Sequence, residues 1–508
     1  VIQTEMYQVQ PSDVKGLSDD EVEKFNELLR IWQDKATNNR IQTEFYEQRN
    51  KFIDLGIAIP PSMRNINAAI GWASMAVDCL AERSIFDGFT FRGKRRDDIS
   101  DILEANNSKE LYSEACTTEL IHSCSFLTVS RGDENEPPVV LNAYSALEGA
   151  VVWDRRNKRP KYGFAVTDTT VPDSTGRVEP TEVNLYLDYA TVVCRRLNNT
   201  WYAEHLTHSQ GRPLFEVLRN EPSLMRPMGK SRISPAVMAY TNSAMRCAVR
   251  GELSSELFAS PQKYLLGADD GVFGEQEDED DDEVTKMRKR AARERSKMQA
   301  YLGTIFAVTP NSNGDIPQFG QLSQMSMEPH NSYMYMLAKM FSGETCIPVS
   351  RLGVMAESNP TSFEAIQAMN EPLILKAQRL NETNGNTLKN VGRLMLAIMG
   401  NKTLADLTDD ERRLSVSWAD PSRPSTAAQT DAATKLASIF PYFTESDVAL
   451  EMVGFSEEQI ARLNEAKSEY EKKQEEAKAK LEEQMNPDAG EEDSSQEEEA
   501  QTDEASTE

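Results

Sequence analysis

The 508-residue sequence carries 55 Lys and Arg against 82 Asp and Glu, a formal net charge of −27, with 39% hydrophobic and 27% charged residues. That length exceeds what one hydrophobic core holds, so several structural units are expected, and a mean hydropathy of −0.56 marks a globular chain with a strongly hydrated part. So acidic a chain argues against a tight grip on nucleic acid, which depends on Lys and Arg displacing counterions from phosphates, although it leaves room for weak, sliding contact.

The charge is uneven: residues 482–508 hold twelve acids and no Lys or Arg, and the rest stays net acidic. Six cysteines, Cys79, Cys116, Cys124, Cys194, Cys247 and Cys346, are scattered without a CxxC pair, which suits a reducing compartment. No apolar run approaches the roughly 18–20 residues of a membrane span, and no basic-then-apolar signal opens the chain. A soluble, unsecreted protein with no membrane partner is expected, and the opening Val1 is compatible with a processed product.

Along the chain, Ser18 and Glu21 predict a capped helix over 19–52, with Val22, Phe25, Leu28, Leu29 and Trp32 on its apolar face. An extended segment at Ile57–Pro61 precedes a second helix over 65–82, which ends before a turn at Gly88 and Phe89. From about 120 to 230 short β-rich runs alternate with Pro, Gly, Asn and Asp: Phe126–Val129, Ala150–Trp153, Tyr162–Val166, Val183–Leu187 and Thr191–Leu197. Ser234 and Pro235 then open a helix over 234–258, on which Arg232, Arg246 and Arg250 mark a polar side.

The stretch 261–325 pairs an acid run, Glu275 to Glu283, with a basic run, Lys286, Arg288, Lys289, Arg290, Arg293, Arg295 and Lys297, and is read as a mobile loop leading into a solvated helix, followed by a strand-like Tyr301–Val308. A helix over 328–344 stops before Pro348, and residues 349–360 form an irregular loop. Thr361 and Glu364 then cap the longest periodic segment, which misses a beat at Asn384 and Gly385 and contains Pro372, where a kink is expected. A strand at Leu414–Trp418 and helices at 425–440, 444–452 and 456–484 complete the ordered part, and the tail from 485 is too polar to order itself. The fold class is α+β.

The chemistry-bearing motifs are sparse. Of the histidines His122, His205, His208 and His330, only His205 and His208 sit close in sequence, and no thiol or carboxylate cluster completes a metal site around them. There is no phosphate-binding GxxxxGK[ST] loop, no GxSxG elbow and no GxGxxG after a strand. No catalytic residue, metal ligand or cofactor is therefore assigned, and the acid run reads as a solvated loop, since metal-holding carboxylates sit apart on rigid elements. The basic run is open to two readings, a solvated helix balancing the acids or a contact to DNA or an acidic partner.

Four stretches in order carry a resemblance: RIQTEFYEQRNKFIDLGIAIPPSM, GWASMAVDCLAERSIFDGF, GKSRISPAVMAYTNSAMRCAVRGELSSELFASPQKYLLG, and MFSGETCIPVSRLGVMAESNPTSFEAIQAMNEPLILKAQRLNETNG. Over about residues 40–400 the chain resembles the portal proteins of tailed double-stranded DNA bacteriophages, in the long-tailed branch. The resemblance implies a portal fold with N-terminal helices and an α/β wing over 1–230, stem helices over 231–260 and 326–348, a clip over 261–325, and a tunnel loop over 349–360. It further implies a long kinked helix and a strand returning to the wing over 361–424, a helical crown over 425–480 and an acidic tail over 481–508.

By the same resemblance the chain forms a homo-oligomeric ring of twelve at one capsid vertex of the virion, assembled in the host cytoplasm. It passes double-stranded DNA without sequence specificity and docks the terminase large subunit and the head-tail adaptor. It also meets the major capsid and scaffolding proteins as it nucleates assembly. Channel residues are expected at Arg351, Leu352, Val354, Met355, Glu357 and Asn359 in the tunnel loop, with Arg246 and Arg250 in the stem, and partner contacts at Lys286, Arg288, Lys289, Arg290 and Arg293 in the clip. Arg351 has a second reading, as an ion pair with Glu357 or a neighbouring subunit. The charged insertion at 275–297 departs from the family pattern. The competing readings are a helical assembly scaffold without a DNA channel and a carboxylate-metal nuclease.

Overall fold

The computed structural model describes residues 3–4, 9–51, 69–91, 95–172, 176–259, 263–266, 282–301, 314, 316, 318–321, 326–354, 363–422, 426–440, 442–443, 446–455 and 457–485. They form two compact units, Val1–Ser422 and Arg423–Glu508.

The first unit opens with a short strand β1 (Gln3–Thr4) and helix α1 (Asp19–Tyr46). The expected capping box is present: Glu21 N donates to Ser18 Oγ at 3.4 Å while Ser18 N donates to Glu21 Oε2 at 2.8 Å. α1 ends six residues earlier than periodicity suggests, because Gln48 turns left-handed at φ 59° and Arg49 N closes onto Glu44 O. Helix α2 (Trp72–Ala81) follows, and the predicted turn at Gly88 is instead inside strand β2 (Phe86–Phe91). Gly88 has φ 124°, a conformation closed to most side chains, which is why a glycine that reads as a turn sits within a strand.

Two helices that periodicity does not reveal come next, α3 (Asp97–Ala105) and α4 (Ser108–His122). Strands then run through β3 (Cys124–Arg131), β4 (Val139–Ser145), β5 (Gly149–Asp154), β6 (Arg159–Thr169), β7 (Arg177–Val178), β8 (Pro180–Tyr186), β9 (Ala190–Leu197), β10 (Thr200–Thr207) and β11 (Phe215–Arg219). They make an antiparallel five-stranded sheet ordered β10-β9-β8-β6-β5 and a three-stranded sheet ordered β11-β3-β4, while β1 pairs in parallel with β7. α1 covers the larger sheet: Phe25, Leu28 and Trp32 are buried in one cluster with Phe164, Val183 and Leu185.

Beyond the sheets lie α5 (Pro235–Ala259), strand β12 (Lys263–Leu266), α6 (Glu283–Tyr301), strand β13 (Gln318–Gln321), α7 (Glu328–Thr345), the 37-residue α8 (Phe363–Met399), a single turn α9 (Asp409–Arg412) and strand β14 (Leu414–Trp418), which pairs with β2. A 3-10 turn at Val349–Leu352 follows α7. α8 is one helix through Pro372, which is exposed. Leu373, Ala377, Leu380, Leu388, Val391 and Met395 on its inner side join the main core with residues of α2, α4, β2 and β3. At Gly392 an added Cβ would meet Leu414 Cδ2 at 2.4 Å and Phe89 Cζ at 3.1 Å, so glycine lets α8 press against the β2–β14 pair.

The second unit holds α10 (Thr426–Ile439), α11 (Asp447–Val453) and α12 (Glu457–Met485). Ala433, Ala449 and Ile460 are buried in it, and Asn464 Nδ2 ties α12 to Asp447 of α11 at 2.8 Å. The expected extension at 57–61, the run at 302–308, most of the acid run, the Thr361 cap and the tail beyond 485 lie outside the described residues.

Candidate functional site

α5 and α7 form an antiparallel hairpin, fixed at both ends by polar contacts. Ser234 Oγ, which also caps α5 by accepting from Val237 N at 3.3 Å, donates to Glu344 Oε1 at 3.1 Å. Towards the other end Cys247 Sγ lies 3.5 Å from His330 O, and Ser254 Oγ is 3.1 Å from His330 Nε2. The twenty helical steps from Ser234 to Ser254 span roughly 30 Å at 1.5 Å per residue. Met327 packs against Gly251 at that far end, its Cε 3.7 Å from where a Cβ would stand. There β12 and β13 pair antiparallel, Lys263 opposite Gln321 and Leu266 opposite Gln318.

Of the stem cations, Arg246 is half-buried and donates to Ser243 Oγ at 2.8 Å, and Arg250 is half-buried on the same helix. Arg232, read from sequence as part of a polar side, is only 8% exposed. Its Nε donates to Ala76 O at 2.8 Å and its Nη2 to Thr345 O, so it ties α2 and the end of α7 to the foot of α5. Burial lowers its pKa. No spacing rule separates this arginine from its solvated neighbours, since its position just before the helix cap looks exposed in sequence.

In α6, Arg288 and Arg290 are exposed while Lys286, Lys289 and Arg293 are half-buried. Asp282 O accepts from Lys286 N at 2.9 Å, so the acid block runs directly into the helix start, where carboxylates are favoured by the macrodipole.

At the near end of the hairpin, Cys346 turns left-handed at φ 61° and ends α7, Ile347 is fully buried, and the Val349–Leu352 turn leads to Gly353 at φ 72°. Arg351 is exposed there, with its Nη1 3.9 Å from Cys79 Sγ of α2. Leu352 corrects the expectation of an apolar side chain offered to DNA: it is 6% exposed and part of the main core, because the turn folds back onto the hairpin foot. Val354 also packs against that core. Met355, Glu357 and Asn359 lie outside the described residues.

Two buried polar groups missed by sequence reasoning hold α8 in place. Asn384 Nδ2 donates to Glu119 Oε2 at 2.7 Å and to Tyr112 Oη at 3.1 Å, and Ser84 Oγ donates to Asn381 Oδ1 at 2.6 Å while lying 2.8 Å from Tyr112 Oη. Burial pushes the Glu119 carboxyl up to about 8, against the opposing effects of the Asn384 hydrogen bond and the Arg219 guanidinium. The missed beat at Asn384 and Gly385 is the sequence trace of this network. At Glu221 burial works upward, but hydrogen bonds and charge from Lys230 and Lys376, at 2.7 and 3.0 Å, take the carboxyl down to about 2.

The histidines have separate partners. His122 is buried 2.8 Å from Thr43 Oγ1, His205 Nε2 is 3.0 Å from Glu21 Oε1, and His208 Nδ1 accepts from Gln210 N at 3.5 Å. Among the described residues no three His, Cys, Asp or Glu gather as a metal site, and no helix is long and apolar enough to cross a membrane.

Residues 18–477 match the family model described as phage portal protein, SPP1 Gp6-like. The chain is 27% identical over 423 residues to the portal protein of Mycobacterium phage D29 and 26% identical over 422 residues to that of Mycobacterium phage L5, covering 81% of each chain in both pairs. Among solved structures it is similar to a chain in the neck of a native gene transfer agent particle computed with C12 symmetry (TM-score 0.39, 12% identity, 76% of this chain and 90% of that one). A chain in the virion of a native gene transfer agent particle is also similar (TM-score 0.38, 12% identity, 73% and 85%).

Proposed function

The chain belongs to the SPP1 Gp6-like phage portal protein family, and from that premise we propose that twelve copies close into a ring at one capsid vertex of the virion, around a channel for double-stranded DNA. DNA enters through it during packaging and leaves during ejection. The role is structural: the motor of packaging is the terminase large subunit, docked on the clip, and the head-tail adaptor takes that place later. The ring nucleates assembly with the major capsid and scaffolding proteins.

The observation that carries this reading is the α5–α7 hairpin, with the β12–β13 pair and α6 between its strands of chain at one end and the Arg351 turn at the other. On this assignment residues 1–230 are the wing, α5 and α7 the stem, 261–325 the clip, 349–360 the tunnel loop, 361–424 the return to the wing, 425–480 the crown and 481–508 an acidic tail. A channel walled by so acidic a chain repels phosphate and keeps DNA sliding. Exposed Arg351 supplies a non-specific touch on the backbone. The clip cations Lys286, Arg288, Lys289, Arg290 and Arg293 meet the docking partners.

Native mass measurement tests the reading. A single discrete species at twelve times the 57.0 kDa chain supports it; a monomer, or an open series of sizes, sinks it.

A further inference from the structure

Between β11 and α5 the chain makes a turn that the fold of the subunit leaves without a purpose. Ser223 N donates to Arg226 O at 3.0 Å and Arg226 N to Ser223 O at 3.1 Å, a tight turn whose tip is Leu224 and Met225. These side chains are 94% and 91% exposed, more than any other large hydrophobic among the described residues. Single exposed apolar residues are ordinary, but two adjacent ones at the apex of a turn are not how turns are usually composed.

The base of the turn is held by several polar contacts. Asn220 N donates to Ser123 O at 3.0 Å, Lys230 N to Asn220 O at 2.9 Å, and Asn220 Nδ2 to Lys230 O at 2.7 Å. Arg219 Nη1 donates to Pro227 O at 3.0 Å, and Glu221 is clamped between Lys230 and Lys376. Gly229 at φ 76° closes the base, where a Cβ would stand 2.2 Å from Asn220 O, and Glu221 itself sits at φ 46°. Backbone strain of this kind persists where the surroundings enforce it, and it often marks a functional constraint.

We propose that this turn is an anchor by which each copy of the chain inserts Leu224 and Met225 into an apolar face of the next copy. The inference rests on the ring reading above and adds to it a specific subunit contact. A closed ring is a head-to-tail assembly, so each copy must carry two different patches that fit one another. The first unit offers a counterpart on α7: Tyr333, Met336 and Met340, spaced three and four apart, are 42%, 46% and 46% exposed on a stripe beside the buried Leu337, Ala338 and Phe341. A Met-rich face adapts to an inserted side chain, and a preorganised apolar anchor gives up little entropy on docking. Arg226 is exposed beside the tip, and exposed Glu344 borders the α7 stripe one turn beyond Met340, with exposed Lys339 on the other flank.

The test uses the full chain. Leu224→Ser combined with Met225→Ser is expected to shift native mass from the ring to monomer or small oligomers, with circular dichroism unchanged, while the control Val171→Ser, equally exposed at 89%, keeps the ring. In parallel, p-benzoylphenylalanine placed at Met225 should give, on irradiation, covalent multiples of the 57.0 kDa chain whose cross-linked peptides map to residues 328–345. Cross-links confined to a single chain, or a double-serine variant that forms the wild-type ring, would overturn the contact while leaving the ring reading standing. A wild-type chain that is monomeric would overturn both.

Discussion

Replacing Glu119 with Gln should make the protein more stable above neutral pH. The carboxyl is fully buried between α4 and α8, accepts from Asn384, faces Tyr112, Cys116 and Arg219, and has an Oε1 without a partner. With its pKa raised from 4.5 to about 8, the folded chain holds a proton that the unfolded chain releases near pH 4.5. Stability therefore falls as pH rises through that window, by about 1.4 kcal/mol per pH unit, or about 3 kcal/mol by pH 7.

His122, lowered to about 4 by burial, works oppositely: its neutral folded form loses stability as pH falls below the unfolded value of 6.5. The two slopes offset each other between pH 4.5 and 6.5, so the difference between variant and wild type isolates Glu119. A glutamine at 119 still accepts from Asn384 and offers a donor to the unpartnered Asn384 Oδ1. Thermal or denaturant midpoints should diverge from pH 5 to about 8 and then run parallel to pH 9, with the Gln variant the more stable at pH 8 by about 2–4 kcal/mol. Parallel profiles would mean that Glu119 ionises in the folded state as it does in water, and would refute the account of the network.

Four further outcomes follow from the packing and the site. Arg232→Met should destabilise by about 2–4 kcal/mol, because it removes both buried hydrogen bonds of the guanidinium at the hairpin foot; denaturant titration checks this. Gly392→Ala should cost about 1–3 kcal/mol by forcing α8 away from Leu414 and Phe89, read as a lowered thermal midpoint. Arg351→Ala should leave the midpoint within about 0.5 kcal/mol, since the side chain is exposed, and should weaken DNA passage in a packaging assay; unchanged packaging would remove Arg351 from the channel. Deleting 275–297 should preserve the ring and impair packaging, whereas an unaltered packaging yield would discard a docking role for the charged insertion.

The elements legible in sequence were those whose signals are local. α1, α5 and α7 were found because Ser18, Ser234 and the apolar periodicity are written within one or two turns of chain. α4 was hidden because its inner side carries Glu119, His122 and Ser108, polar residues buried by partners more than 70 positions away or lying against the main core. β2 was hidden by Gly88, whose local signal is a turn. At the candidate site the order of helix, turn and helix was legible, but which side chains face outward was not. Leu352 and Arg232 are turned inward by contacts with α2 and the hairpin foot that no spacing encodes, while Arg351 between them stays exposed.

The central claim is that copies of this chain enclose a DNA channel, and a three-dimensional electron-microscopy reconstruction of the purified protein tests it most directly. The account predicts a closed ring of twelve, with α5–α7 hairpins side by side around an open centre wide enough for a DNA duplex and Arg351 at its wall. Monomers, an open helical filament, or a ring whose centre is filled by protein would contradict it.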